Sequence, residues 1–93
     1  MYLLNIEFIN GVYFTPREME IISCILNVRG VKKIASILSI SPRTVEGHIQ
    51  NILLKISSNS QEHIKDLVER SEQISQLKNY YLDLLITSFL IQQ

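Results

Sequence analysis

Basic side chains are concentrated in one part of this 93-residue chain, residues 29–56. That stretch has five Lys and Arg residues against the single acid Glu46, although nine basic residues balance nine acids over the whole chain. A cluster of cations can bind the phosphates of nucleic acid, and a solvated helix face is the simpler alternative. Zero net charge excludes a basic surface over the whole molecule, so only a local site is expected.

Nothing in the sequence predicts an enzyme. No Ser/His/Asp, Cys/His or paired-carboxylate set stands out, and no glycine-rich loop could hold a phosphate, so neither catalytic residues nor a cofactor are expected. His48 has no second ligand at a suitable spacing, so no metal site is predicted. The single cysteine, Cys24, cannot form an internal disulfide and is interpreted as a buried apolar residue. With no signal peptide and no spanning apolar run, a cytoplasmic protein without a membrane partner is expected.

Helix-start signals position the basic stretch. Thr15 and Pro16 followed by Glu18 form a capping box with proline in the first turn, and Ser41-Pro42 repeats the cap and the proline. Apolar spacing then predicts an all-α fold of five helices. The predicted ranges are 16–27, 31–38, 42–56, 61–70 and a fifth helix beyond Ser71, either continuous with the fourth or kinked near Asn79. Asn10-Gly11 indicates a turn, compatible with a short hairpin.

The second and third predicted helices match the plan of a helix-turn-helix. They are short, they are joined by the tight turn 39–41, and the third is amphipathic and basic at its start. In that plan the first helix of the pair braces against the DNA backbone, and the second lies in the major groove.

Particular residues within these helices resemble a known family. They are the segment from Phe14 to Ile22 (FTPREMEII), the segment from Lys32 to Ala35 (KKIA) and the segment from Ile40 to Ile56 (ISPRTVEGHIQNILLKI). Together they resemble the LuxR-type helix-turn-helix domain of the LuxR, NarL and FixJ regulators over residues 14–68. The resemblance implies a four-helix domain with residues 42–56 as the recognition helix. It also implies binding as a dimer, often through the fourth helix, to a two-fold symmetric DNA site.

The resemblance also implies which residues contact DNA. Base edges would be contacted by Glu46, Gly47 and Gln50. Phosphates would be contacted by Lys32, Lys33, Arg43, Thr44, His48, Asn51 and Lys55. Gln50 is the best direct reader, because a glutamine amide can pair with adenine through two hydrogen bonds, whereas Glu46 could accept from cytosine or pair with Arg43.

Several departures from the family pattern affect this interpretation, among them Lys33 at a position that the family often fills with Glu. Val28 stands where the family usually has glycine, and Gly30 follows two residues later, which predicts a rebuilt turn. The family's Leu-Gly-Val after the recognition helix is Ile-Ser-Ser here, with Ser57 in the place of glycine. Gly47 stands where many members have a larger groove-facing residue, so direct base reading is expected to be sparse.

The last predicted helix contains more apolar surface than so small a domain can cover. We expect residues 14–70 to form the DNA-binding domain, residues 1–13 an extension or linker, and residues 71–93 a dimerising or core-completing helix. The predicted dimer residues are Leu77, Tyr81, Leu84 and Ile91. The alternative is that this helix folds back over residues 2–9.

The sequence therefore favours a bacterial transcription regulator that binds duplex DNA as a homodimer, with RNA polymerase as a candidate partner. Two alternatives remain open at this stage. One is a protein-interaction module of the same fold that has lost DNA binding. The other is the DNA-binding fragment of a longer regulator.

Overall fold

A computed structural model describes residues 6–91 as a bundle of helices preceded by a small hairpin. The elements are β1 (Phe8–Ile9), β2 (Val12–Tyr13), α1 (Pro16–Ile25), α2 (Val31–Leu38), α3 (Pro42–Lys55), α4 (Gln61–Glu69) and α5 (Ile74–Ile91). The all-α fold expected from the sequence is confirmed, since the hairpin is the only sheet within the described residues. The predicted helices begin where the caps placed them, and the first, third and fourth end one or two residues earlier than predicted.

The start of α1 is fixed by its own sequence. The Thr15 hydroxyl accepts a hydrogen bond from the Glu18 backbone N–H at 3.2 Å, and the Glu18 carboxylate accepts one from the Thr15 N–H at 2.9 Å. Both donors would otherwise lack a partner in the first turn. Phe14 and Met19, on either side of the cap, are both buried, as a hydrophobic staple requires.

The turn between α2 and α3 is short because both helix ends are capped locally. Ser39 adopts a left-handed conformation with φ of +57°, and the Ile40 N–H donates to the Ala35 carbonyl at 3.0 Å, which is a Schellman ending. Ser41 then caps α3, its hydroxyl accepting from the Thr44 N–H at 3.1 Å. The two helices pack against each other on either side of this turn.

The core is built around α1, which contacts each of the other four helices. Its inward side chains meet an apolar stripe from every one of those helices. The largest fully buried members include Met19, Ile21, Ile22, Ile34, Val45, Ile52, Ile64, Val68 and Leu77. α1 thus holds α2 and α3 in a fixed arrangement and leaves their outer faces to solvent.

The turn predicted at Asn10-Gly11 is present, and it closes a short hairpin. Both turn residues have positive φ, +49° and +82°, as a two-residue turn of the mirror-image type needs. Phe8 pairs with Tyr13 in the antiparallel register, and the Asn10 side-chain amide donates to the Leu67 carbonyl of α4 at 3.2 Å. The hairpin is therefore attached to the domain at its tip.

The prediction for the junction between the fourth and fifth helices, continuous or kinked near Asn79, was wrong. α4 and α5 are separate helices, and α5 runs through Asn79 without a break. The chain turns at Ser71, whose buried hydroxyl donates to the Val68 carbonyl at 2.7 Å and accepts from the Gln73 N–H at 3.2 Å. A serine side chain that bonds nearby backbone groups in this way competes with helix continuation.

α5 packs along α1 and α2. Leu77 and Tyr81, two of the four residues predicted for a dimer interface, are buried in this contact, and Leu84 is half-buried. Ile91, the fourth, is 67% exposed at the end of the helix. The alternative covering surface, residues 2–9, lies partly outside the described residues.

Candidate nucleic-acid interface

α3 has one face in the core and one in solvent. Val45, Ile49, Ile52 and Leu53 are buried, which fixes the rotation of the helix about its axis. Most residues predicted to contact DNA therefore lie on the outer side. The exposed ones are Arg43, Thr44, Glu46, Gly47, Gln50 and Asn51. His48 is half-buried at the boundary between the two faces.

Gly47 leaves a gap in the middle of this exposed face. Apart from its chain neighbours and the nearby backbone of its own helix, a β-carbon added there would meet no atom within 4 Å, and the backbone is not in the left-handed region. Neither packing nor conformation in the free protein therefore requires glycine, which costs about 1 kcal/mol relative to alanine in a helix. Its effect is to bare the helix backbone between Glu46 and Gln50.

The N-terminus of α2 adds a second, basic part to the surface. Gly30, with φ of +91°, occupies its cap position and offers no side chain to the first backbone N–H groups. Lys32 and Lys33 are exposed in this uncapped first turn, which has no acidic residue. Free N–H groups at a helix start together with cations favour a phosphate group there. The positive φ in this turn falls on Gly30 and not on Val28, where the family pattern has glycine.

The start of α3 presents one free cation. The Thr44 hydroxyl lies 2.9 Å from the Ser41 hydroxyl, so the cap already engages it. Arg43 is exposed, and within residues 6–91 no salt bridge joins it to Glu46. The local ion pair considered from the sequence is thus not formed, and both groups can meet a partner outside the protein.

Lys55 has a partner inside the protein. Its ammonium donates to the Glu18 carboxylate at 2.5 Å and lies 5.3 Å and 5.6 Å from the ring centres of Tyr13 and Phe14. The phosphate contact expected for Lys55 would compete with this ion pair. Sequence reasoning missed the pair because 37 positions separate the two residues, and Glu18 carried only the local signal of a capping box.

The Glu18 carboxylate is ionised at neutral pH. Burial alone would raise its pKa, but the hydrogen bonds from Lys55 and from the Thr15 N–H, with the ammonium charge, outweigh burial and lower the pKa. The same carboxylate thus caps α1 and holds the last turn of α3. This contact fixes the C-terminal end of the proposed recognition helix against the start of α1.

The described residues bear on three further features: a reactive thiol, a metal site and a membrane-spanning helix. Cys24 is fully buried, and burial, with a smaller contribution from Glu20, raises the pKa of its thiol to about 12. Within residues 6–91, no group of three or more His, Cys, Asp or Glu side chains is placed to hold a metal ion. None of the described helices is long and apolar enough to cross a membrane.

Comparison with known proteins gives the family. Residues 12–68, more than half of the chain, match the model of the bacterial regulatory proteins of the luxR family, GerE. The chain therefore belongs to the LuxR family, whose helix-turn-helix domain is a DNA-binding domain of transcription regulators. No curated protein and no solved structure matched the chain.

Proposed function

We propose that this protein regulates transcription by binding duplex DNA, with α3 in the major groove. One observation supports this most directly. The exposed and mostly polar face of α3 lies on the helix that packs next to α2, whose uncapped N-terminus carries Lys32 and Lys33. A groove-reading helix beside a phosphate-binding helix start is what a helix-turn-helix needs.

In this proposal the contacts divide into two classes. Gln50 reads a base edge, Glu46 accepts from cytosine, and the bare backbone at Gly47 approaches the groove closely. Contacts to the phosphates fix the register without reading sequence. They involve Lys32, Lys33, Arg43, Thr44, His48 and Asn51, with Lys55 contributing only if it leaves Glu18.

The regulator acts as a homodimer on a two-fold symmetric site, because one short helix reads too few bases to be selective. It works in the cytoplasm, where it meets DNA and RNA polymerase. The competing function is a protein-interaction module, favoured by the acid Glu46 and the missing side chain at Gly47 on the exposed face of α3.

A gel-shift titration on random-sequence duplex DNA at two salt concentrations tests the proposal. Binding by the wild type should fall steeply with salt, since each neutralised phosphate releases counterions. Arg43→Ala should weaken binding to every sequence about equally. It should also reduce the steepness of the log binding constant plotted against log salt concentration by about one. Lys78→Ala removes one exposed cation from α5 and is the matched control, with an unchanged slope expected.

Two results would contradict the proposal. The first is a folded protein with no detectable DNA binding at low salt, which would favour the interaction module. The second is an equal loss for Arg43→Ala and Lys78→Ala, which would mean that binding depends on total charge and not on the helix-turn-helix surface.

A further inference from the structure

The C-terminal half of α5 has an apolar face that the monomer leaves uncovered. Leu82, Ile86, Phe89 and Leu90 are 55%, 60%, 64% and 65% exposed. Their spacing places them on one side of the helix. That side is not the one on which Leu77 enters the core. We call these four residues the α5 face.

The apolar character is confined to this half of the helix. On the same side, one and two turns earlier, Ser75, Lys78 and Asn79 are exposed and polar. No charged side chain occurs in α5 after Asp83. The α5 face therefore begins at Leu82 and has no charge of its own, so it would not repel an identical surface.

We infer that the α5 face pairs with the same face of a second copy of this chain. The two α5 helices are antiparallel and cross near Ile86. This arrangement sets Leu82 against the partner's Leu90 and keeps the two Lys78 ammonium groups apart. A parallel arrangement would bring those two cations together. The inference rests on the homodimer of the proposed function and assigns its interface.

The size of the surface fits this occupant. The largest apolar patch on a typical monomer covers about 300–600 Å² and is often functional, and four large side chains more than half exposed fall in that range. Two such patches and their rims approach the roughly 1,000 Å² that a specific interface needs. An interfacial membrane helix would instead carry lysines and arginines beside its apolar side, which residues 84–91 lack.

This pairing differs from the one predicted from the sequence. The stripe through Leu77, Tyr81 and Leu84 contacts the domain's own core, so it is not free to meet a second copy. Deleting α5 would remove those core residues and unfold the domain along with any dimer. Point variants on the α5 face avoid that problem, because its side chains are mostly in solvent.

Sedimentation equilibrium on the full chain, from about 1 to about 100 µM, tests the inference. The wild type should show a reversible monomer–dimer equilibrium, as a small interface predicts. Ile86→Lys should remain monomeric at every concentration. Gln76→Lys, at an exposed polar position on another side of the same helix, is the control and should dimerise like the wild type. Circular dichroism and thermal unfolding establish that both variants fold.

Cross-linking tests the crossing point. Under mild oxidation Ile86→Cys should form a disulfide-linked dimer, because each copy brings this position close to its symmetry mate. Gln76→Cys should not, and the fully buried Cys24 gives no background. A monomer at all concentrations, or a dimer that survives Ile86→Lys, would overturn the inference. A monomeric protein that still binds DNA would leave the proposed DNA binding intact and remove the homodimer from the proposed function, whereas a dimer without DNA binding would overturn the proposed DNA binding and leave this inference standing.

Discussion

Gln50 is the side chain on α3 whose chemistry best suits base recognition. It is exposed one turn beyond Glu46, with the open backbone of Gly47 beside it. Its amide can donate to and accept from adenine at the same time, which a phosphate contact does not require. Selectivity should therefore depend on Gln50 more than on the cations around it.

At one base pair in each half-site, we expect Gln50→Ala to reduce the difference in binding free energy between the preferred base and the others by about 1–3 kcal/mol. A selected-site experiment followed by titration of the wild-type site and its single-base variants measures this. Arg43→Ala is the comparison, since it should lower affinity without changing the selected sequence. The same consensus sequence from the wild type and Gln50→Ala would contradict the assignment.

The ends of α3 are set by short-range signals, and one of them carries strain. Beyond the helix, Ser57 has φ of +55°, and the Ser58 N–H donates to the Leu53 carbonyl at 3.0 Å, a second Schellman ending. An L side chain in this region is strained, and glycine is not. Ser57 stands where the family usually has glycine.

Ser57→Gly should therefore stabilise the protein by about 0.5–1 kcal/mol, because relief of the strain exceeds the extra flexibility of glycine in the unfolded chain. Urea unfolding measures this change. The urea concentration at the midpoint of unfolding should rise, and the dependence of the unfolding free energy on urea concentration should stay the same. Ser36→Gly, at an exposed position inside α2, is the control and should destabilise. A lower midpoint for Ser57→Gly would show that its hydroxyl, not its backbone, matters at this turn.

At the scale of the helices and strands, the sequence predicted the features that depend on neighbouring residues, such as helix starts and turns. The caps at Thr15 and Ser41 fixed two helix starts, and Asn10-Gly11 fixed the hairpin turn. The break at Ser71 was missed, since apolar spacing continues through it and only the hydrogen bonds of its hydroxyl reveal the turn. The side on which α5 packs was also beyond sequence reasoning, because both of its sides carry apolar residues.

At the scale of the whole molecule, the ion pair of Glu18 and Lys55 joins the beginning of the helical domain to the end of α3. Glu18 and Lys55 are far apart in the sequence, and their ion pair is nearly buried on the carboxylate side, where the side chain is 4% exposed. Removing one member of such a pair leaves the other without a partner. The orientation of α3 against α1 should therefore depend on the ionisation of Glu18.

Glu18→Gln should lower the free energy of unfolding at pH 7 by about 2 kcal/mol, since glutamine keeps the capping box but not the charge. The folded pKa of Glu18 lies below its ordinary value of 4.5. The stabilisation is thus complete above that pH and is lost as the pH falls through the folded pKa. Urea unfolding from pH 7 to pH 3 should show that the difference in free energy of unfolding between the wild type and the variant decreases as the pH falls.

Lys55→Met, measured in the same series alone and together with Glu18→Gln, completes a double-mutant cycle. The coupling free energy between the two residues should vanish at low pH. Glu62→Gln is the control for a carboxylate that is exposed and has no ion pair in the described part of the chain. If the difference in free energy of unfolding between the wild type and Glu18→Gln does not change with pH, the loss of stability is due to packing and not to the ion pair.

The uneven distribution of charge has a consequence for how the molecule would find DNA. Its positive and negative charges cancel overall, while four of the five basic residues of 29–56 have no internal salt bridge within the described structure. A protein with no net charge but one positive side feels little net attraction to DNA at long range. The electric field of the DNA instead orients the protein so that its α2–α3 side faces the DNA, and the attraction becomes strong only at short range. For this protein, salt would then affect the lifetime of the bound state more than the rate of encounter.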